Sequence, residues 1–168
     1  MKKALYVISE YLLLFGLAAF IGWVYEIVCV YVLYGEYFDR GVLHLPMCPI
    51  YGFGILFLMF VFRKTKNVFL IFFGSAILTT VIELGASYVI EYFLKDTLWD
   101  YSDWAFDYQG RISLISSAMF GLMAVLFLRL VRPPVGKTFR SKARPFLTVF
   151  TLALACFCVC WELRFLLH

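Results

Sequence analysis

Charged side chains are scarce in this chain, at 15% of its 168 residues, where a soluble domain carries roughly a quarter. Set against 64% hydrophobic and 20% aromatic residues, that shortfall excludes a water-soluble globule, which would have to expose large apolar patches. There is no phosphate-binding glycine loop, no zinc-type His–Glu pair and no Ser–His–Asp order. The chain therefore holds no nucleotide site of its own, and neither a metal nor a cofactor is expected. Five cysteines, at 29, 48, 156, 158 and 160, make no paired framework of the secreted kind. On a helix, Cys156 and Cys160 share a face while Cys158 points away, so these three read as small packing residues. Cys29 and Cys48 fall toward the same expected membrane end, which leaves a disulfide open. No internal repeat or low-complexity tract is visible.

What the chain does have is long apolar runs. A bilayer-spanning helix needs roughly 20 mostly apolar residues. Five segments approach that length: 11–34, 47–62, 68–94, 112–131 and 146–167. The second is short and carries Pro49, and the third is interrupted by Glu83. The expectation is an all-α integral membrane protein, with a single transmembrane domain over residues 1–168 built as a bundle of about five helices. Lys2 and Lys3, the apolar run and Ala18–Ala19 imitate a signal peptide. The run continues through Trp23 to Tyr34, too long for a cleaved segment, so it reads as a retained anchor.

The connections alternate in charge. Lys2 and Lys3, then Arg63-Lys64-Thr65-Lys66, then Arg132, Lys137, Arg140, Lys142 and Arg144 mark one side. Glu36, Asp39, Asp96, Asp100, Asp103 and Asp107 mark the other. The positive-inside bias then places the N-terminus in the cytoplasm and, after five crossings, the C-terminus outside a plasma membrane. The net charge of +4 is thus a topology signal, and no nucleic-acid partner is expected. The partner is the lipid bilayer, with anionic lipid near the basic turns.

Ionisable groups inside a membrane are costly, and here they gather at one depth. Glu26 lies roughly 12 Å inside the outer end of the first helix. Glu83, Ser87 and Glu91 share a face of the third helix through their four-residue spacing. Arg40 and His44 stand in the first loop, Asp100 and Tyr101 in the third, and Arg111 opens the fourth helix. These nine residues are the candidates for binding a ligand or carrying a proton, with Glu83 the deepest and no catalytic residue assigned. The plainer alternative is that pairs such as Glu26–Arg40 and Glu91–Arg111 only staple helices and loops together. Two further stretches stay open in the same way. Leu45-Pro46-Met47-Cys48-Pro49-Ile50-Tyr51-Gly52-Phe53-Gly54 is either a rigid loop-to-helix junction or a re-entrant stretch shielded from lipid. Trp99-Asp100-Tyr101-Ser102-Asp103-Trp104 is an interfacial aromatic belt whose interleaved acids could also hold a cation or an amine head group.

Taken in order, Gly22-Trp23 with Glu26, Arg40-Gly41, Cys48-Pro49-Ile50-Tyr51-Gly52 with Gly54, Glu83 to Tyr88 to Glu91, Trp99-Asp100-Tyr101-Ser102 and Gly110-Arg111 resemble the CmpB family. Its members are labelled type IV membrane proteins of ABC transporters, with transmembrane relatives in animals. The resemblance runs from about Gly16 to Gly121 and leaves the last helix outside. Asp107 and Phe120 depart from the family pattern, where Asn and Trp are expected. The resemblance implies a transport-related protein and singles out Glu26, Arg40, Glu83, Glu91, Asp100 and Arg111.

Three readings follow. The first is a small permease or membrane subunit with a polar site open to the non-cytoplasmic face, binding a cation or small polar solute. Five helices are few to enclose a pathway, so this reading requires a homo-oligomer or a partner membrane subunit. The alternative is a membrane-embedded enzyme acting on a lipid or lipid-linked substrate from the outer face, with Arg40 and Arg111 holding a phosphate. The third is a non-catalytic accessory or assembly factor.

Overall fold

A computed structural model describes residues 2–35, 45–97 and 99–166. The sequence candidates Arg40 and His44 lie outside the described residues. The helices are α1 (Lys2–Tyr34), α2 (Pro49–Val61), α3 (Val68–Leu94), α4 (Leu114–Leu126), α5 (Arg132–Phe139) and α6 (Arg144–Leu166). A π-helical turn, Phe127–Val131, joins α4 to α5, and a two-stranded hairpin, β1 (Asp107–Tyr108) and β2 (Ile112–Ser113), precedes α4. Four stretches are long and apolar enough to cross a membrane: Lys2–Val32, Val68–Phe93, Leu114–Phe139 and Arg144–Arg164. With the shorter apolar α2, this is an all-α membrane protein.

The chain divides into two compact units. In the unit made of Met1–Phe57 and Leu130–His168, α1 packs against α5 and α6. Lipid tails are as apolar as leucine, so helices in a bilayer hold together through close packing and polar contacts rather than through a hydrophobic force. Small side chains provide the packing between α1 and α2. A side chain at Gly22 would overlap the ring of Tyr51, and one at Gly52 would overlap that of Phe15. Each helix thus receives an aromatic ring from the other where it has no side chain. Ser9 and Thr148 are buried and satisfy their hydroxyls on their own helices, at Leu5 O (2.9 Å) and Arg144 O (2.9 Å). The Arg144 guanidinium sits 3.9 Å from the Tyr6 ring.

The segment before α2 settles on the middle of α1. The Cys48 N–H donates to the Ala19 carbonyl at 3.0 Å, and Cys48 and Ala19 are both buried. Apolar runs flank Ala19 on both sides, so α2 starts within the apolar zone. Its 13 residues rise only about 20 Å, short of the roughly 30 Å of a hydrocarbon core. The backbone entering it finds its partners in protein: Met47 N–H on Leu45 O, Cys48 on Ala19, Tyr51 N–H on Cys48 O. That is the condition for irregular backbone at membrane depth. No disulfide joins Cys29 and Cys48.

In the unit Leu58–Arg129, α3 and α4 form the main packing pair. Asn67 caps α3 by accepting from Phe69 N (2.9 Å) and Leu70 N (3.3 Å), and Lys95 ends it in a left-handed conformation at φ 56°. Ser113 and Ser116 form a reciprocal capping box at the start of α4. Between the helices Gly121 lies against the Phe72 carbonyl, and the Thr80 and Ser117 hydroxyls meet at 2.6 Å.

Candidate functional site

The site is built on α3, where polar residues recur every fourth position. Glu83, Ser87 and Glu91 lie along one ridge, as their spacing predicts, and Ser75 and Thr79 continue it toward the other end. Sequence reasoning stopped at Glu83, although the same spacing would have found Ser75 and Thr79. Ser75 is fully buried and its hydroxyl has no partner among the described residues. Thr79 donates back to Ser75 O at 2.8 Å.

The loop between α3 and α4 folds back onto this ridge. Tyr101, 18 residues beyond Glu83, donates its hydroxyl to Glu83 Oε1 at 2.8 Å. Glu83 Oε2 is buried and has no hydrogen-bond partner among the described residues. At the loop end of the ridge, Arg111 pairs with Glu91 and reaches Ser87 Oγ at 3.4 Å. Its guanidinium lies 4.2 Å from the Tyr88 ring centre, and the Tyr88 hydroxyl donates to Gln109 Oε1 at 3.2 Å. Arg111 Nε is buried without a partner among the described residues. A buried donor or acceptor left unmade costs about 1–3 kcal/mol, so Glu83 Oε2 and Arg111 Nε are informative.

The hairpin explains how Arg111 is aimed. Gln109 (φ 55°) and Gly110 (φ 66°) are the central residues of a turn closed by Arg111 N–H on Tyr108 O at 3.0 Å. Positive φ at both central positions is the mark of a I′ hairpin turn. Register is Asp107 opposite Ser113 and Tyr108 opposite Ile112, and Asp107 Oδ2 accepts from Gly110 N–H at 3.0 Å. A side chain at Gly110 would strike Asp100 Oδ1 and come within 2.7 Å of Ser102 Oγ. The absence of that side chain lets the acidic stretch dock there, with Tyr101 N–H on Gly110 O at 2.8 Å and the Trp99 indole N–H on Arg111 O at 2.9 Å. Asp100 Oδ1 accepts from Ser102 Oγ at 2.6 Å and Ser102 N at 2.9 Å, and these donors hold the exposed carboxylate below its usual range.

A cavity of about 160 Å³ opens among these groups, lined by Ser87, Trp99, Asp100, Ser102, Gln109 and Arg111 among others. Six of the nine candidates are therefore in this unit: Glu83, Ser87, Glu91, Asp100, Tyr101 and Arg111. Glu26 is half-buried on α1, in the other unit. Trp99 and Ser102 belong to the stretch read as an aromatic belt or cation contact, and Tyr88 and Gly110 to the family motifs, so among these neighbours Gln109 alone was missed. The Trp-Asp-Tyr-Ser stretch signalled a loop, while Arg111 was expected to open the fourth helix, and neither signal showed that the hairpin and the loop would dock together.

No curated protein and no solved structure matches the chain. A family model does match, over residues 13–162, so the likeness carried by motifs ending near Gly121 extends through most of α6. The family's description is "Putative ABC-transporter type IV", and the chain belongs to this family of transport-related membrane proteins.

Proposed function

We propose that this chain is a membrane component of a transport system, with a polar site open to the non-cytoplasmic face of the plasma membrane that takes a cation or small polar solute. Glu83 is its inner ligand or proton carrier, and Ser87, Glu91, Asp100, Tyr101 and Arg111 form the approach. The observation that carries this reading is the Glu83 carboxylate itself. One oxygen is held by Tyr101, and the other is buried and unmatched among the described residues. A group in the membrane with spare acceptor capacity is suited to meet a cation or a proton.

The alternating charges support the orientation. Basic Arg63-Lys64-Thr65-Lys66 and Arg132–Arg144 segments would face the cytoplasm, and the acidic Asp96–Asp107 loop would face away from it. So few helices enclose no pathway alone, so the working form is a homo-oligomer or a complex with a partner membrane subunit. A lipid-soluble carbodiimide, which modifies protonated carboxyls at membrane depth, tests the reading on purified protein in mild detergent. Glu83 should be labelled, labelling should fall when a panel of monovalent cations and amines is added, and Glu83→Gln should abolish it. Folded protein in which Glu83 stays unlabelled at every pH, or is labelled without protection by any cation or amine, would refute it.

A further inference from the structure

We infer that the cavity between Asp100 and Arg111 binds a small group carrying an ammonium and an anionic oxygen together, the chemistry shared by a phosphoethanolamine headgroup and a free amino acid. The inference deepens the proposed solute site by naming its ligand class, and it rests on that reading.

The cavity wall carries two groups of opposite charge. On one side is Arg111, which cannot turn away from the cavity. Its Nη atoms are engaged with Glu91 and Ser87, its plane rests against Tyr88, and its backbone carbonyl is tied to the Trp99 indole. Its buried Nε–H lacks an acceptor among the described residues, and each Nη keeps a second N–H that an oxygen in the cavity lined by this side chain can meet. On the other side is Asp100. Both Ser102 donors fall on Oδ1, so its second oxygen carries no bond among the described residues and can accept from an ammonium. Trp99, which lines the same cavity, adds an aromatic surface of the kind that attracts cations.

Charge and size narrow the ligand. Arg111 is already matched by Glu91, and Asp100 leaves the surroundings negative, so a free anion meets net repulsion. An anionic oxygen is acceptable there only when it brings its own positive charge. A volume of about 160 Å³ corresponds to roughly five water molecules. That suits a two-carbon ammonium with one phosphate or carboxylate.

Isothermal titration calorimetry on the full chain in phosphate-free detergent separates the possibilities, with phosphoethanolamine, glycine, ethanolamine and inorganic phosphate as probes. Phosphoethanolamine or glycine should bind at least tenfold more tightly than ethanolamine or phosphate. Asp100→Asn keeps the acceptor for Ser102 but not the charge, and Arg111→Lys keeps the charge opposite Glu91 but not the forked N–H groups of the guanidinium. Each should weaken binding of the bifunctional probe at least tenfold while circular dichroism and elution volume stay unchanged. The two sources are then told apart by native mass spectrometry from mixed nanodiscs. Retention of phosphatidylethanolamine over phosphatidylglycerol, with phosphoethanolamine preferred to glycine, assigns a lipid headgroup. Preference for glycine without lipid retention assigns a free amino acid. Ethanolamine binding as tightly as phosphoethanolamine would overturn the inference and leave a plain cation site standing. Binding of none of the four by folded protein would overturn it as well, while the Glu83 carbodiimide experiment decides the transport reading separately.

Discussion

Each of the two compact units is held together internally, and by different means. Where α1 meets α2, contact is made by shape: a ring from each helix lies where the other has glycine, next to the buried Ala18 and Ala19. Where α3 meets α4 and the hairpin loop, contact is made by hydrogen bonds and charge: Thr80 with Ser117, Tyr101 with Glu83, and Arg111 with Glu91. Both are ways to associate helices where water exclusion gives no help. The polar contact leaves donors and acceptors with spare capacity, among them Glu83 Oε2 and Arg111 Nε. A shape-matched interface has nothing to offer a solute, whereas a polar one can stabilise the fold and still bind.

Substitutions can break or sharpen this contrast, and the largest effect belongs to the shape-matched unit. Gly22→Leu puts a branched side chain where the Tyr51 ring lies, and overpacking of this kind costs about 3 kcal/mol. Denaturation in mixed micelles followed by circular dichroism should show that loss, and a near-neutral result would mean that the ring is not seated as described. Next comes Arg111→Ala, which removes the pair with the half-exposed Glu91 and frees the Tyr88 face, at about 1 kcal/mol in the same assay. A cost above that of Gly22→Leu would reverse the ranking of the two units. A double-mutant cycle on Thr80→Val and Ser117→Ala should give a coupling of about 0.6 kcal/mol, the usual size for a hydroxyl pair between membrane helices.

The smallest effect is a pH dependence. The hydroxyl and backbone N–H of Ser102 lower the Asp100 carboxyl, so its contribution is complete above the ordinary aspartate value of about 3.9. It disappears as the pH falls through the lower folded value. Stability measured from pH 6 downward should therefore dip slightly more in the native chain than in Asp100→Asn, and an identical acid limb in both would remove Ser102 as the cause.

The parts legible in advance were those that depend on spacing along one element. Glu83, Ser87 and Glu91 had to share a face because a helix turns every 3.6 residues, and α3 stays helical throughout. The Arg111–Glu91 pair was legible as the plainer alternative, a staple between a helix and a loop. The Tyr101–Glu83 bond was not legible, because it depends on the hairpin turn at Gln109–Gly110 and on the space that Gly110 leaves for Asp100. Two local conformations far apart in sequence have to agree before that contact exists, and periodicity does not describe such agreement. The Pro49 segment was legible as an alternative between a junction and a re-entrant stretch. The Cys48–Ala19 hydrogen bond places the start of α2 beside the middle of α1.

The short α2 has a consequence for the surrounding lipid. A helix of 13 residues covers about two thirds of a typical hydrocarbon thickness, and acyl chains cannot solvate the open backbone that completes the distance. Near α2 the bilayer must either thin or be held off by neighbouring protein, at a fraction of a kcal/mol for each Å of mismatch. The chain should therefore partition into short-chain phosphatidylcholine in preference to long-chain, and bilayer thickness becomes a variable that acts on this one helix more than on its longer neighbours.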